Sequence, residues 1–222
     1  MRRVSTIILV GLLLISLVAI SVMGQPTGGT LATGTTESWS GTTSTSTGIQ
    51  GGNITEANIT GYAQTDRWAG FWGEITGGVR LADSSANVFY EWTVSDVTDS
   101  VIYAANGTVS NWGTVAAAGV GDMPAFLTTA ATDNYTNTFG STEAFNSSSL
   151  NIASTPYTST WQTGSQGALK TYALKDADDT DLIWAGKAIA DTASFASGTL
   201  DYQVLVPAYT SSISYNFYLE LP

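Results

Sequence analysis

The sequence predicts an all-β protein, an antiparallel β-sandwich. Three observations carry that prediction. Apolar and polar residues alternate with a period of two in three separate stretches, "VFYEWTV", "TLDYQVLV" and "SISYNFYLEL". Turn-forming residues lie between the strand-like stretches: "DSSAN" at 83–87, Asn106-Gly107, "DADDTD" at 176–181 and Ser197-Gly198. No segment shows the apolar spacing of a long helix. Period-two alternation marks half-buried strands, and many short strands in one unit pack as two layers, in the immunoglobulin-like or jelly-roll-like manner.

The chain opens "MRRVSTIILVGLLLISLVAISVMGQPTGG". Arg2 and Arg3 precede an uncharged, Leu/Ile/Val-dominated run from Thr6 to Met23, and Val22 and Gly24 supply small residues at its end. These are the marks of a secretory signal peptide, residues 1–24, cut after Gly24. The apolar run is also just long enough to span a bilayer, so a retained membrane anchor is the alternative. On either reading the rest is exported, and the expected location is extracellular or cell-surface. Residues 25–48, dominated by Ser, Thr and Gly, read as a flexible linker, bare or carrying O-linked sugars.

Residues 49–222 then form a single sandwich domain. "RWAGFWGEI" is its expected first buried strand, with Trp68 and Trp72 on one face. In "VFYEWTV", Val88, Tyr90, Trp92 and Val94 share a face and Phe89, Glu91 and Thr93 take the other. Only "DMPAFLTTAA" (122–131) has helical character, with Asp122 as a cap and Pro124 in the first turn. From Gly113 to Gln166 the chain is rich in Ala, Ser, Thr and Asn and lacks alternation. That region reads as a long excursion with a short helix, lying over one end or edge of the sandwich. "TLDYQVLV" aligns Leu200, Tyr202, Val204 and Val206. In the C-terminal stretch, Ile213, Tyr215, Phe217, Leu219 and Leu221 line one side, and Ser214, Asn216, Tyr218 and Glu220 face out.

The net charge of −11 becomes −13 when the two positive charges of Arg2 and Arg3 leave with the leader. So acidic a surface argues against nucleic acid, whose phosphates need Lys and Arg. The chain has no cysteine and no histidine. Ser-His-Asp and Cys-His catalysis and His/Cys zinc sites are therefore excluded. A cysteine-free exported chain also leans towards a prokaryotic source. No catalytic constellation stands out, so the chain does not read as an enzyme.

Five N-x-S/T triplets make Asn53, Asn58, Asn106, Asn134 and Asn146 candidate sugar acceptors, usable where exposed on an exported chain. Sugars on "NITEANIT" would also discourage unwanted edge pairing. Trp68, Phe71, Trp72, Trp92 and Trp112 form either a core or a sugar-stacking platform, core packing being the commoner use of such rings. Tyr62, Tyr103 and Tyr218 are the better surface candidates. Asp176, Asp178, Asp179 and Asp181 cluster in "DADDTDL". The spacing of Asp176 and Asp178 suits Ca²⁺, but Asp181 stands where an EF-hand has glycine and no Glu closes the loop. The competing reading is a solvated hairpin tip. No cofactor is expected; Ca²⁺ is the one ion to weigh.

Taken with the leader, "GGNITEANIT", "RWAGFWGEITGGVRLADSSANVFYEW" and "YNFYLELP" resemble a group of secreted archaeal surface proteins. More loosely, the architecture is similar to archaeal thread and bundling-pilus subunits. That resemblance implies export, N-glycosylation, a surface location and polymerisation by donor-strand exchange, and supplies no active-site residues. The expectation is a structural glycoprotein that self-associates into a filament or coat. In that reading Ile213, Tyr215, Phe217, Leu219 and Leu221 are the better strand to donate, because residues 25–60 offer only Ile49, Ile54 and Ile59, five apart; the same strand can instead complete its own sheet. The alternatives are a carbohydrate-binding or adhesive module, and a membrane-anchored, type IV pilin-like protein that would meet the membrane through its retained leader.

Overall fold

The central strands carry apolar residues on both faces, and this sets the layering. The structure, a computed structural model, describes residues 25–39, 46, 48, 50–163, 165–178, 180–208 and 213–222. The leader (1–24), Ile49 and Asp179 lie outside the described residues. In chain order the strands are β1 (Thr27–Gly28), β2 (Trp68–Gly73), β3 (Gly78–Ala82), β4 (Val88–Thr93), β5 (Val101–Ala105), β6 (Ala116–Ala117), β7 (Ser141–Asn146), β8 (Asn151–Gln162), β9 (Ser165–Lys175), β10 (Leu182–Lys187), β11 (Thr192–Ala193), β12 (Thr199–Leu200), β13 (Tyr202–Pro207) and β14 (Asn216–Glu220). A single helical turn, α1 (Tyr135–Thr138), precedes β7.

One antiparallel sheet runs β1-β14-β5-β10-β9-β8-β7, with β6 paired to β9 off that path. Its central strands sort their side chains between two cores by parity. Ile102, Ala104, Ala173, Leu182 and Trp184 face one core, which Tyr202, Val204 and Val206 of β13 close together with Met123, Leu127, Tyr135 and Phe139. Val101, Tyr103, Ala105, Tyr172, Leu174, Ile183 and Ala185 face the other, with Val109, Trp112, Val115, Phe145 and Leu150. The second layer of the sandwich is the β2–β13 pair. It lies so close that a Cβ on Gly186 of β10 would stand 2.3 Å from Val204 Cγ2, so glycine is required there for layer contact. Each fully buried apolar side chain contributes about 1.5–3 kcal/mol, and Trp184, Leu174, Ile183 and Val204 are among the most enclosed.

The all-β sandwich is therefore observed, but several of its elements differ from the sequence reading. The region 113–166 is no mere excursion, for β7 and β8 add two strands to the main sheet. β8 reads "NIASTPYTSTWQ", where Thr supplies the strand preference that apolar residues usually supply. Register shifts between Glu143 and Phe145 and between Ser159 and Trp161 break the period there. In place of a helix over 122–131 there are two 3₁₀ turns, Val120–Asp122 and Ala125–Leu127. Asp122 does not cap a helix that follows it: it ends the first of these turns, and its carboxylate accepts from Gly119 N, the residue before that turn, at 2.8 Å.

β2 is only partly buried. Trp68 and Phe71 pack against the first core, whereas Trp72 stays 56% exposed. β13 keeps its predicted face inward, but "VFYEWTV" does not. The β3–β4 hairpin forms a two-stranded sheet of its own, and every residue of β4 is exposed. At the N-terminal side, Thr27 and Gly28, inside the stretch read as linker, pair with Leu219 and Tyr218. Residues 50–66 are exposed and carry no strand.

Candidate functional site

A sheet edge that can accept another strand is the feature here with the clearest assembly chemistry, and its geometry is set by β14. On its inner side β14 pairs with β5, from Asn216↔Ala105 to Glu220↔Val101. On its outer side, among the described residues, only β1 is present, two residues long, followed by one further bond from Gly29 N to Phe217 O at 3.3 Å. Beside that contact an open groove is lined by Gly29, Leu31, Tyr215 and Phe217.

The side chains of the C-terminal stretch hold it in its own sheet. Tyr215, Phe217 and Leu219 pack against the first core. Phe71 meets Phe217 edge-on at 4.9 Å between centroids, and Tyr215 Oη donates to Pro207 O at 2.6 Å. Leu221 is half-buried and Ile213 is exposed. Two residues expected to face solvent do not. Tyr218 packs edge-on against Trp112 in the second core. Glu220 is 3% exposed, its Oε2 accepting from Tyr103 Oη at 2.5 Å and its Oε1 from Ser149 N at 2.6 Å. Burial, then that carboxylate, pushes the Tyr103 hydroxyl well above the usual phenol range. The strand read as the one to donate is thus packed and paired within its own sheet, between β5 and β1.

The sugar acceptors divide by what their amides already do. Asn53 and Asn58 lie in the exposed segment before β2, Asn58 Nδ2 donating to Glu56 Oε1 at 3.2 Å. Asn146 is exposed at the end of β7, opposite Asn151. Asn106 is exposed after β5, and its Oδ1 accepts from Leu182 N at 2.8 Å. Asn134 is half-buried and caps α1: Oδ1 accepts from Asn137 N, and Nδ2, the atom a glycan would occupy, donates to Thr129 O at 3.0 Å.

The acidic loop is organised by protein donors. Asp176 is fully buried; its Oδ2 accepts from Ser110 N at 2.9 Å and Ser110 Oγ at 3.0 Å, and its Oδ1 from Asp178 N at 3.2 Å. Burial alone would push this carboxyl up, but the bonds from Ser110, Asp178 and Thr114 outweigh it and hold the group below the usual carboxylate range. Asp178 Oδ2 accepts from Asn111 Nδ2 and Thr114 Oγ1. Asp176 and Asp178 therefore tie the β9–β10 turn to the segment after β5, and Asp181 sits against Gly107, leaving no room for a Cβ there. Among the described residues, the carboxylates whose oxygens do converge within 4.8 Å are Glu74, Asp191 and Asp201. Their separation in sequence hid them. Asp201 is buried, and its oxygens already accept from Ile75 N and Asp191 N. Burial, then Asp201 and Asp191, raises the Glu74 carboxyl.

The aromatic platform is not assembled. Trp68 packs into the core, tilted against Phe139 and edge-on to Trp184, and donates Nε1 to Asp133 O at 2.6 Å. Trp112 is buried, and so is Tyr103, read from the sequence as a surface candidate. Trp72 pairs edge-on with Phe195 at the surface, and Trp92 lies on the β3–β4 hairpin; Tyr62 is exposed. No family model, curated protein or solved structure matches the chain.

Proposed function

We propose that the chain is a structural extracellular glycoprotein, a subunit of a cell-surface filament or coat of the archaeal thread or bundling-pilus kind, assembled by β-strand addition. The observation that carries this reading is the outer edge of β14, covered among the described residues by a two-residue strand from the chain's own N-terminal side. An added strand gains main-chain hydrogen bonds along such an edge whatever its side chains, which suits the Thr/Gly-rich sequence "QPTGGT". The donor is therefore the N-terminal tail and the acceptor is β14, the reverse of the assignment made from alternation alone.

Chain length permits exchange between copies. Roughly 40 residues separate β1 from β2, enough when extended to reach on the order of 130 Å. A domain of about 150 residues has a radius of gyration of only about 15 Å. The connection is therefore long enough for the tail of one subunit to reach the β14 edge of a neighbour. Exposed Asn53 and Asn58, on the same connection, would carry glycans on the outside of such an assembly.

Electron microscopy of material shed from the native cell surface, with the chain identified in it by mass spectrometry, tests the reading. Ordered filaments or a lattice are expected, and deletion of residues 25–39 should abolish them. Single particles throughout would refute it. Single particles that bind polysaccharide through exposed Trp72 and Phe195 would favour the adhesive module instead.

A further inference from the structure

The β3–β4 hairpin is an amphipathic ribbon whose apolar face is left exposed among the described residues. Register places Val79 opposite Trp92 and Leu81 opposite Tyr90, with Val88 following on the same face. Their exposures run from 48% to 56%, and Tyr90 and Trp92 pack ring against ring at 4.7 Å. The opposite face carries a forked ion pair, Arg80 Nε and Nη2 to Glu91 Oε2 and Oε1 at 2.8 and 3.3 Å. Neither strand pairs with any other among the described residues. The base of the hairpin is fastened by Val94 N to Gly77 O and by Leu221 lying against Gly77.

We infer that this ribbon is a self-association surface, the apolar face of one copy packing on the same face of a second copy. Three observations point to that occupant. A two-stranded ribbon is marginal alone and gains independent stability when its apolar face is covered. The exposed area of Val79, Leu81, Val88, Tyr90 and Trp92 on that face comes to roughly 500 Å², so two copies would bury about 1,000 Å² between them, the size at which a specific interface begins. Finally, residues 78–93 contain no N-x-S/T triplet, although five occur elsewhere, so the ribbon stays bare where the flanking exposed chain can be sugar-coated. A face without charge, meeting itself, makes an isologous pair. The inference rests on the self-assembly reading for its occupant, but it adds a contact that strand addition at β14 does not use.

The expected behaviour follows from charge. Two copies, each at −11, repel at long range, while the contact itself is apolar. Pairing should therefore tighten as salt screens the repulsion, whereas docking to a basic partner would weaken. The test uses the full-length chain, expressed with residues 1–24 in place, in sedimentation velocity and oxidative cross-linking. Leu81→Ser/Tyr90→Ser/Trp92→Ser should weaken pairing at least tenfold with the thermal transition of the cores unmoved. Because the chain has no cysteine, Trp92→Cys introduces a single thiol that should cross-link two copies, and Thr93→Cys on the other face should not. Unchanged pairing in the triple-serine variant, equal cross-linking from Thr93→Cys, or association that loosens with salt overturns the inference. Filaments lacking Trp92→Cys cross-links overturn it and leave strand addition standing. Cross-linked pairs that never form filaments support it and count against strand addition.

Discussion

Removing the Glu220 carboxylate should unfasten the C-terminal strand, and the structure sets the size of the effect. Glu220→Ala removes the short bonds of two donors at once, leaving Ser149 N unpaired and the Tyr103 hydroxyl with only a long one, where both are now bonded at 2.5–2.6 Å. Leaving a buried donor unsatisfied costs about 1–3 kcal/mol, and the truncation adds a small cavity. Against this stands the relief of desolvating a carboxylate that has no ion-pair partner among the described residues, and Tyr103 keeps one long bond, to Ser147 Oγ at 3.3 Å. The orphaned donors outweigh the relief, giving a net loss of about 3 kcal/mol. In a domain of this size that lowers Tm by about 6–12 °C. Glu220→Gln retains one acceptor oxygen but turns an amide N–H towards a donor, so about half the loss should remain. Circular dichroism melts of the wild type, both Glu220 variants, Tyr103→Phe and the Tyr103→Phe/Glu220→Ala double variant close a cycle, with an expected coupling of at least about 1 kcal/mol. A Glu220→Ala variant within about 0.5 kcal/mol of wild type would refute the claim that this pair locks β14. The C-terminal strand would then again be a candidate donor.

Two further perturbations test the core and the acidic turn. Gly186→Ala drives a Cβ into Val204, a stiff β-branched neighbour between the layers, and should cost about 1–3 kcal/mol by urea unfolding; adding Val204→Ala should recover part of that loss, and no recovery would mean the strain lies elsewhere. Asp176→Asn should lower the urea midpoint at neutral pH, because the native state holds this carboxyl below its unfolded value of about 3.9. A depressed carboxyl stabilises above the unfolded value, and that stability is lost as pH falls through the folded one. The gap between wild type and variant should therefore be constant from pH 7 to pH 5 and close below about pH 4. A gap that persists at pH 2 would assign the effect to packing.

Much of the fold was legible because alternation marks strands, but alternation shows best in strands with one wet face. The inner strands β5, β9 and β10 read as "VIYAA", "LKTYALK" and "LIWAG", where both faces are buried and the period vanishes into a continuous run. β8 failed for the opposite reason, its pattern diluted by Thr and Ser and broken by register shifts. The candidate site was legible in part. The stretch 213–221 drew notice as an alternating strand that could be donated or complete its own sheet, and the choice was not readable, because Glu220 looks like an outward residue until Tyr103 and Ser149 are brought to it from 117 and 71 residues away. Nor does composition reveal a two-residue strand such as β1, whose Thr and Gly side chains carry no period. Its bonds are all main-chain.

The hairpin and the sheet edge together bear on what an alternating pattern means. Alternation states that one face of a strand prefers to leave water; it does not state what covers that face. At β13 the cover is supplied within the chain, and Tyr202, Val204 and Val206 are 9%, 1% and 1% exposed. At β4 the same signal occurs on a strand left exposed among the described residues, in a protein whose charge of −11 would otherwise favour dispersal. An uncovered apolar ribbon and a sheet edge capped for two residues are each a liability in a monomer. In an assembly each is an interface, one side-chain mediated and the other main-chain mediated. Strand addition alone joins subunits head to tail without limit, since donor and acceptor are different surfaces; ribbon pairing is self-complementary and closes at two. A subunit that has both links chains laterally as well as lengthwise, so loss of the ribbon should leave filaments that no longer associate side by side.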